Sequence, residues 1–315
     1  MRAPAARAGG PAPATGAGSL LPAALAARCK VAVDGDCRAW GGGRPARGRC
    51  CRALAGLAAL GAARRRRDGG RLEVLLEDEE VMVVNKHAGL LSQASRKGED
   101  SLCARARAYL GGRGPRREEI FVGLAHRLDR DVSGACVLAK TSGAARWMSM
   151  QFSGREVRKE YIAVVRRWQP GSSQLLRHTM WTDDTGMAHE VAPGSEGARE
   201  ATLECRPLVS GPSGVTALLV RLLTGRRHQI RFQLSEVKSP LLGDRRYGGG
   251  TRDGSRRWIR RPALHAWRLG FAHPSEPHPA VEVMAPLPED VCALLTAVRI
   301  RPQAVLEKAV ECSTT

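Results

Sequence analysis

The sequence has no Cys-x-x-Cys pair and no His-Glu-x-x-His run, so neither zinc-binding pattern is present, and it carries no nucleotide fingerprint or cofactor-lysine motif. Its nine cysteines are scattered, without the crowding of a secreted disulfide scaffold, which favours a reducing compartment. The longest apolar stretch, residues 53–63, is Ala/Gly-rich and falls short of the ~20 residues of a membrane-spanning helix, so no membrane partner is expected. Acidic residues are few: 31 Asp+Glu stand against 50 Lys+Arg, a formal net charge of +19 at pH 7. Such a surplus favours polyanionic partners, because each cation that neutralises a phosphate releases counterions. Nucleic acid leads, an anionic membrane surface follows, and an Arg-rich leader or GC-rich coding sequence explains part of the same excess.

Residues 1–70 have no acid before Asp34, are rich in Ala, Arg, Gly and Pro, and end in Arg64-Arg65-Arg66-Arg67. This reads as a leader rather than a domain. A basic, acid-poor leader suits import into a mitochondrion or plastid. The scarcity of Ser argues against a typical transit peptide, and a disordered RNA-binding arm or translated GC-rich sequence, with the protein in the cytoplasm, is the other reading. From Leu72 the pattern changes. Strands are expected over 81–84, 134–139, 157–165, 202–208, 215–223, 264–271 and 281–284, and helices over 101–110, 142–152 and 228–237. Strands outnumber helices without βαβ alternation, so the expected fold class is α+β with a largely antiparallel or mixed sheet. Residues 71–300 form the expected catalytic domain and 301–315 a C-terminal tail.

Three constellations carry candidate chemistry. The first is His126-Arg127-Leu128-Asp129-Arg130-Asp131-Val132-Ser133-Gly134, a polar loop entering a strand, where a carboxylate can be held beside arginines. A salt-bridged surface loop has the same composition. A kinase catalytic loop is excluded, since Leu128 precedes Asp129, no Asn follows in place, and no Asp-Phe-Gly or Gly-rich phosphate loop accompanies it. The second is Lys159-Glu160-Tyr161-Ile162-Ala163, whose alternation puts Lys159, Tyr161 and Ala163 on one face. Tyr161 can stack on a base there, or serve as an ordinary core aromatic. The third is Gly225-Arg226-Arg227-His228-Gln229-Ile230-Arg231, followed by Gly243-Asp244-Arg245-Arg246-Tyr247-Gly248. A helix starting near Arg227 would bring Arg231 one turn on and bury Ile230 and Leu234; a basic, solvent-facing surface is the alternative.

In this order the motifs resemble the RluA-type RNA pseudouridine synthase family over about residues 72–288. The family's Asn-Lys-Pro-x-Gly turn is similar to Asn85-Lys86-His87-Ala88-Gly89, with His87 where proline is usual. Its His-Arg-Leu-Asp-x-x-Thr-Ser-Gly signature is matched from His126 to Gly134 with Val132 in place of Thr. Lys-x-Tyr-x-Ala is met by Lys159, Tyr161 and Ala163, and Gly-Arg-x-His-Gln-Ile-Arg by Gly225, Arg226, His228, Gln229, Ile230 and Arg231.

The resemblance implies a pseudouridine synthase fold and isomerisation of uridines in rRNA, tRNA or mRNA, with RNA as partner, no cofactor and no metal. It makes Asp129 the catalytic carboxylate, Tyr161 the ring that stacks on uracil, and Arg231 the ion-pair partner of Asp129. Arg127, Arg130, Arg226 and Arg227 are the expected RNA-backbone contacts. A monomer is expected. The rival reading is a catalytically silent RNA-binding or ribosome-assembly protein of the same fold, against which the intact Asp129, Tyr161 and Arg231 argue.

Overall fold

The sheet-forming stretches are β-branched and aliphatic runs whose alternate residues enter different clusters, the mark of strands covered on both faces. A computed structural model of the chain describes residues 72–96, 98–112, 120–169, 172–248 and 258–314. The leader lies outside the described residues. Strands β1 (Glu73–Glu77), β2 (Val81–Lys86), β3 (Gly123–Leu124), β4 (Ser133–Ala139), β5 (Arg158–Arg166), β6 (Gln174–Thr182), β7 (Ala188–Glu190), β8 (Arg199–Ser210), β9 (Val215–Leu222), β10 (Leu264–Ala272) and β11 (Ala280–Met284) join one sheet. Helices α1 (Leu102–Gly111), α2 (Ser142–Ser153), α3 (Gln229–Glu236), α4 (Glu289–Ala297) and α5 (Pro302–Thr314) flank it.

The strand order is β1-β2-β4-β10-β5-β9-β8-β6-β7, with β3 on β4 and β11 on β10. β10 runs parallel to β4, and the other pairings between these strands are antiparallel. The fold is therefore α+β with a mixed, mainly antiparallel sheet, as the segment pattern predicts.

Alternation divides the core. Tyr161, Ala163 and Val165 of β5 point to one cluster together with Ile230 and Leu234 of α3. Ile162 and Val164 point to the other face, where Val291, Leu294 and Leu295 of α4 and Val305 and Ala309 of α5 cover them. Ala144 and Met148 of α2 pack on Val137 and Ala139 of β4 in a third cluster. Truncating a fully buried side chain such as Met148 to Ala costs about 2–5 kcal/mol. The N-termini of α1 and α2 are capped by Ser101 and Thr141, whose hydroxyls accept from Ala104 N (3.3 Å) and Ala144 N (3.1 Å).

The expected C-terminal tail is corrected: residues 302–314 are helix α5, seated on the sheet. Ser313 Oγ donates to the buried carboxylate of Glu160 at 2.8 Å, and Arg206 Nη1 donates to Cys312 O at 3.0 Å. The signal for α4 and α5 was present in the spacing of Val291, Leu294 and Leu295 and of Val305 and Ala309. Strands β1, β3, β6 and β7 also fall outside the expected set. β6 buries only Leu176 and Met180 among exposed Leu175, Arg177 and Trp181, so its alternation is blurred.

Candidate active site

Ala266 of β10 pairs with Gly134 of β4 on one side and with Tyr161 of β5 on the other. The loop that precedes β4 is thereby brought within two strand spacings, about 10 Å, of Tyr161. Gly134 has φ +125°, and a Cβ there would lie 2.2 Å from Ala266 O, so this row of the sheet closes only around glycine.

The loop around Asp129 is tied down through its backbone. Asp129 O accepts from Val132 N at 3.1 Å, closing a turn over Arg130 and Asp131. On one side of Asp129, Leu128 N donates to Ser92 Oγ (3.1 Å) and Leu128 O accepts from the same hydroxyl (2.8 Å). On the other, Arg130 O accepts from Gly89 N (2.8 Å) and from Lys86 Nζ (3.1 Å). The fully buried Lys86 also donates to Leu90 O (2.7 Å) and His87 O (3.0 Å). Burial pulls its pKa down to about 8, against the opposing fields of Cys136, Asp129 and Asp131. His87, in the place of the usual proline, keeps its carbonyl in this set, and Val132, in the place of Thr, is buried in the core. Ser133 Oγ donates to Nδ1 of the buried His265 (2.9 Å), whose Nε2 donates to Ala285 O (3.3 Å).

The opposite wall is helix α3. It is buried nearly all round, with Gln229, Arg231 and Gln233 as well as its apolar residues inside. Gln229 Oε1 accepts from Thr224 Oγ1 (2.8 Å) and Arg226 N (2.9 Å), while its Nε2 donates to Gln233 Oε1 (3.0 Å). Gln233 Nε2 reaches Leu176 O (3.2 Å) and Ala201 O (3.0 Å). Arg231 donates from Nε and Nη2 to the two oxygens of Asp244 at 2.7 and 2.8 Å. Asp244 is fully buried and accepts in addition from Arg246 N and Tyr247 N. The third guanidinium nitrogen, Nη1, lies 3.7 Å from Asp129 Oδ2. Burial opposes the charge of Arg231, but Asp244 and Asp129 outweigh it and hold its pKa above the usual value.

Arg231 is thus shared between two carboxylates, and its short, bidentate bonds go to Asp244. Sequence reasoning paired it with Asp129 alone. His228, at left-handed φ 56° before α3, places Nε2 3.8 Å from Asp129 Oδ2, with Nδ1 3.1 Å from Tyr247 Oη. Burial lowers the His228 pKa although Asp129 pulls the other way. Asp244, His228, Tyr247 and Lys86 were missed as site residues although each stood inside a quoted motif.

Tyr161 is 8% exposed and its hydroxyl has no hydrogen-bond partner among the described residues. Burial, then the negative charge of Asp129, pushes its pKa up, so it is a neutral phenol at neutral pH. The four arginines expected to meet RNA are dispersed. Arg127 and Arg130 are exposed on the Asp129 loop, Arg130 with Nε on Gly89 O at 3.1 Å. Arg226 donates to Glu200 O at 3.0 Å, and the guanidinium of Arg227 lies over Gly186 in the β6–β7 turn.

A family model described as RNA pseudouridylate synthase matches residues 80–236. The chain is 36% identical over 238 residues to a Xylella fastidiosa protein named ribosomal large subunit pseudouridine synthase D, covering 72% of this chain and 70% of that protein. It is 35% identical over 242 residues to the Xanthomonas campestris protein of the same name, with 72% and 70% covered. Among solved structures, human RNA pseudouridylate synthase domain containing 4 shares the fold with a TM-score of 0.58 and 24% identity, over 72% of this chain and 93% of that one. Human RNA pseudouridylate synthase domain containing 1 gives 0.55 and 26%, over 75% and 98%.

Proposed function

The chain belongs to the RluA-type family of RNA pseudouridine synthases, and on that basis we propose that Asp129 is the carboxylate on which its isomerisation of uridine turns. The reaction breaks the bond from ribose C1′ to uracil N1, rotates the base within the site, and joins C1′ to C5. The C5 proton leaves and N1 gains one, so atoms balance without any outside group. The observation that carries the assignment is the convergence of Arg231 Nη1 (3.7 Å) and His228 Nε2 (3.8 Å) on Asp129 Oδ2.

In this reading Asp244 aims Arg231, whose third nitrogen is the counter-charge that faces Asp129 in the pocket that RNA closes. Tyr247 Oη accepts from Ala188 N at 2.9 Å and lies 3.1 Å from His228 Nδ1; in this reading it gives its proton to Nδ1, and the imidazole presents Nε2–H to Asp129. Asp129 acts on the sugar either as nucleophile or as base. Tyr161 stacks on the displaced uracil; as a neutral phenol with a free hydroxyl it can also hold a uracil oxygen. The uridine has to leave its stack, at roughly a few kcal/mol, and Arg127 at the loop surface is placed to fill the gap or meet phosphate. Arg130, Arg226 and Arg227 bind backbone.

The names of the bacterial relatives favour large-subunit ribosomal RNA as substrate. The basic leader favours a mitochondrion or plastid, tested by the localisation of a tagged chain lacking residues 1–70. The test of the chemistry is Asp129→Asn, with pseudouridine mapped in ribosomal RNA. Product formation is expected to fall by at least about a hundredfold while RNA binding survives. Turnover near wild type would remove Asp129 from the role.

A further inference from the structure

His126 and Lys159 open two separate motifs, and the mechanism above uses neither. Both rest on one ring: the imidazole of His126 stacks on Phe152 at 4.5 Å between centroids, and Lys159 Nζ lies 6.0 Å from the centroid of the same ring. His126 Nε2 accepts the backbone N–H of Val137 at 3.0 Å. A backbone amide can only donate, so the neutral ring carries its proton on Nδ1. That N–H has no acceptor among the described residues, and neither has the ammonium of Lys159.

An unpaired ammonium removed from water is costly, and here burial and the nearby Arg155 together lower the Lys159 pKa. Lys159 in turn, after burial, lowers the pKa of His126 to about 3, which keeps the ring neutral. Position 225 leaves space for this arrangement: a Cβ on Gly225 would stand 3.7 Å from Lys159 Nζ. Lys159 is two residues before Tyr161 on the same strand face, and His126 is three residues before Asp129. Each donor is thus carried by the same segment as a site residue, and the Phe152 ring links the two.

We propose that His126 Nδ1–H and Lys159 Nζ form a binding site for a phosphodiester oxygen of the RNA backbone beside the target uridine, with Phe152 as its floor. The inference rests on the reading of Asp129 and Tyr161 as the centre of the chemistry. Donors without acceptors, no carboxylate paired with either of them among the described residues, and a second cation in Arg155 select an anion. The neighbouring reaction makes that anion part of an RNA strand.

The test measures RNA affinity across salt concentrations and the single-turnover rate at saturating RNA for Lys159→Met, Lys159→Gln and Lys159→Arg. Loss of the charge is expected to weaken binding several-fold and lower the salt slope by about one unit, with Lys159→Arg restoring both. The rate at saturation should hold. Tm should not fall, because the charge that is lost has no hydrogen-bond or ion-pair partner among the described residues, and Met still packs on the Phe152 ring. An unchanged slope, or a rate loss with affinity intact, would overturn the site. Lys308→Met is the control, since that exposed lysine pairs with Glu311 on α5. Asp129→Asn is run alongside: retained turnover there sinks the catalytic assignment but leaves the salt-slope comparison readable.

Discussion

The two walls that face each other across Asp129 are built with different chemistry. The Asp129 loop is fixed almost wholly by main-chain groups: Ser92, Lys86 and Gly89 bind the amide or carbonyls of residues 128 and 130. Helix α3 is fixed by side chains, through the Arg231–Asp244 pair and the linked amides of Gln229 and Gln233. A wall held by carbonyls tolerates changes in the side chains that own them. A wall held by paired charges and amides does not. This is a physical reason for the variable positions in the first motif, Arg130 and Asp131, and for the dense specification of the third.

If the contrast is right, the largest effect comes from Asp244→Ala, which strands the 6%-exposed Arg231 without its bidentate partner. A loss of about 3–5 kcal/mol in denaturant unfolding is expected, with turnover falling as well. Full stability in that variant would break the comparison. Gly134→Ala comes next, because a methyl cannot fit 2.2 Å from Ala266 O without parting β4 from β10; a cost of roughly 1–3 kcal/mol is expected, read as a drop in Tm. Lys86→Met removes the donor to three carbonyls at once and should cost on the order of 1–3 kcal/mol. Arg130 O keeps the Gly89 N–H, so turnover in this variant should drop more than stability does.

A pH titration sharpens the loop side further. Burial lowers the pKa of His265 to about 4, below its ordinary 6.5. Between those values the unfolded chain takes up a proton that the folded one refuses, so stability is lost as pH falls through that window. The slope from this residue is at most about 1.4 kcal/mol per pH unit. His265→Gln should flatten the curve between pH 6.5 and 4, and an unchanged curve would clear His265 of the effect. The smallest change is Arg130→Ala, expected within about 0.5 kcal/mol of wild type because the carbonyl, and not the side chain, does the anchoring. Its RNA affinity should fall with salt-slope loss of about one unit.

The sheet was legible where strands are buried on both faces: β2, β4, β5, β9 and β10 read as short apolar segments bounded by turns. It was less so at the edge, where β6 mixes exposed Leu175 and Trp181 with buried Leu176 and Met180. The site was legible as motifs, and Asp129, Tyr161 and Arg231 are brought to one place. What could not be read was which acid Arg231 grips. Asp129 and Asp244 are both motif residues, and choosing between them requires knowing that Asp244 sits fully buried 13 positions beyond Arg231 while Asp129 stays a quarter exposed. The four arginines carry no such geometric requirement, and they scatter over the surface.

Strand β10 stands between β4 and β5, yet it is made about a hundred residues after Tyr161. On the ribosome, the segments bearing Asp129 and Tyr161 emerge early and then wait, unjoined, for Ala266 to pair with both. Long-range pairing of this kind is slow to close and leaves strand edges open meanwhile. A nascent chain stalled before Leu264 would hold all three motifs and still have no uridine pocket, so enzymatic competence in this protein is acquired near the close of translation, well after its signature residues have been laid down.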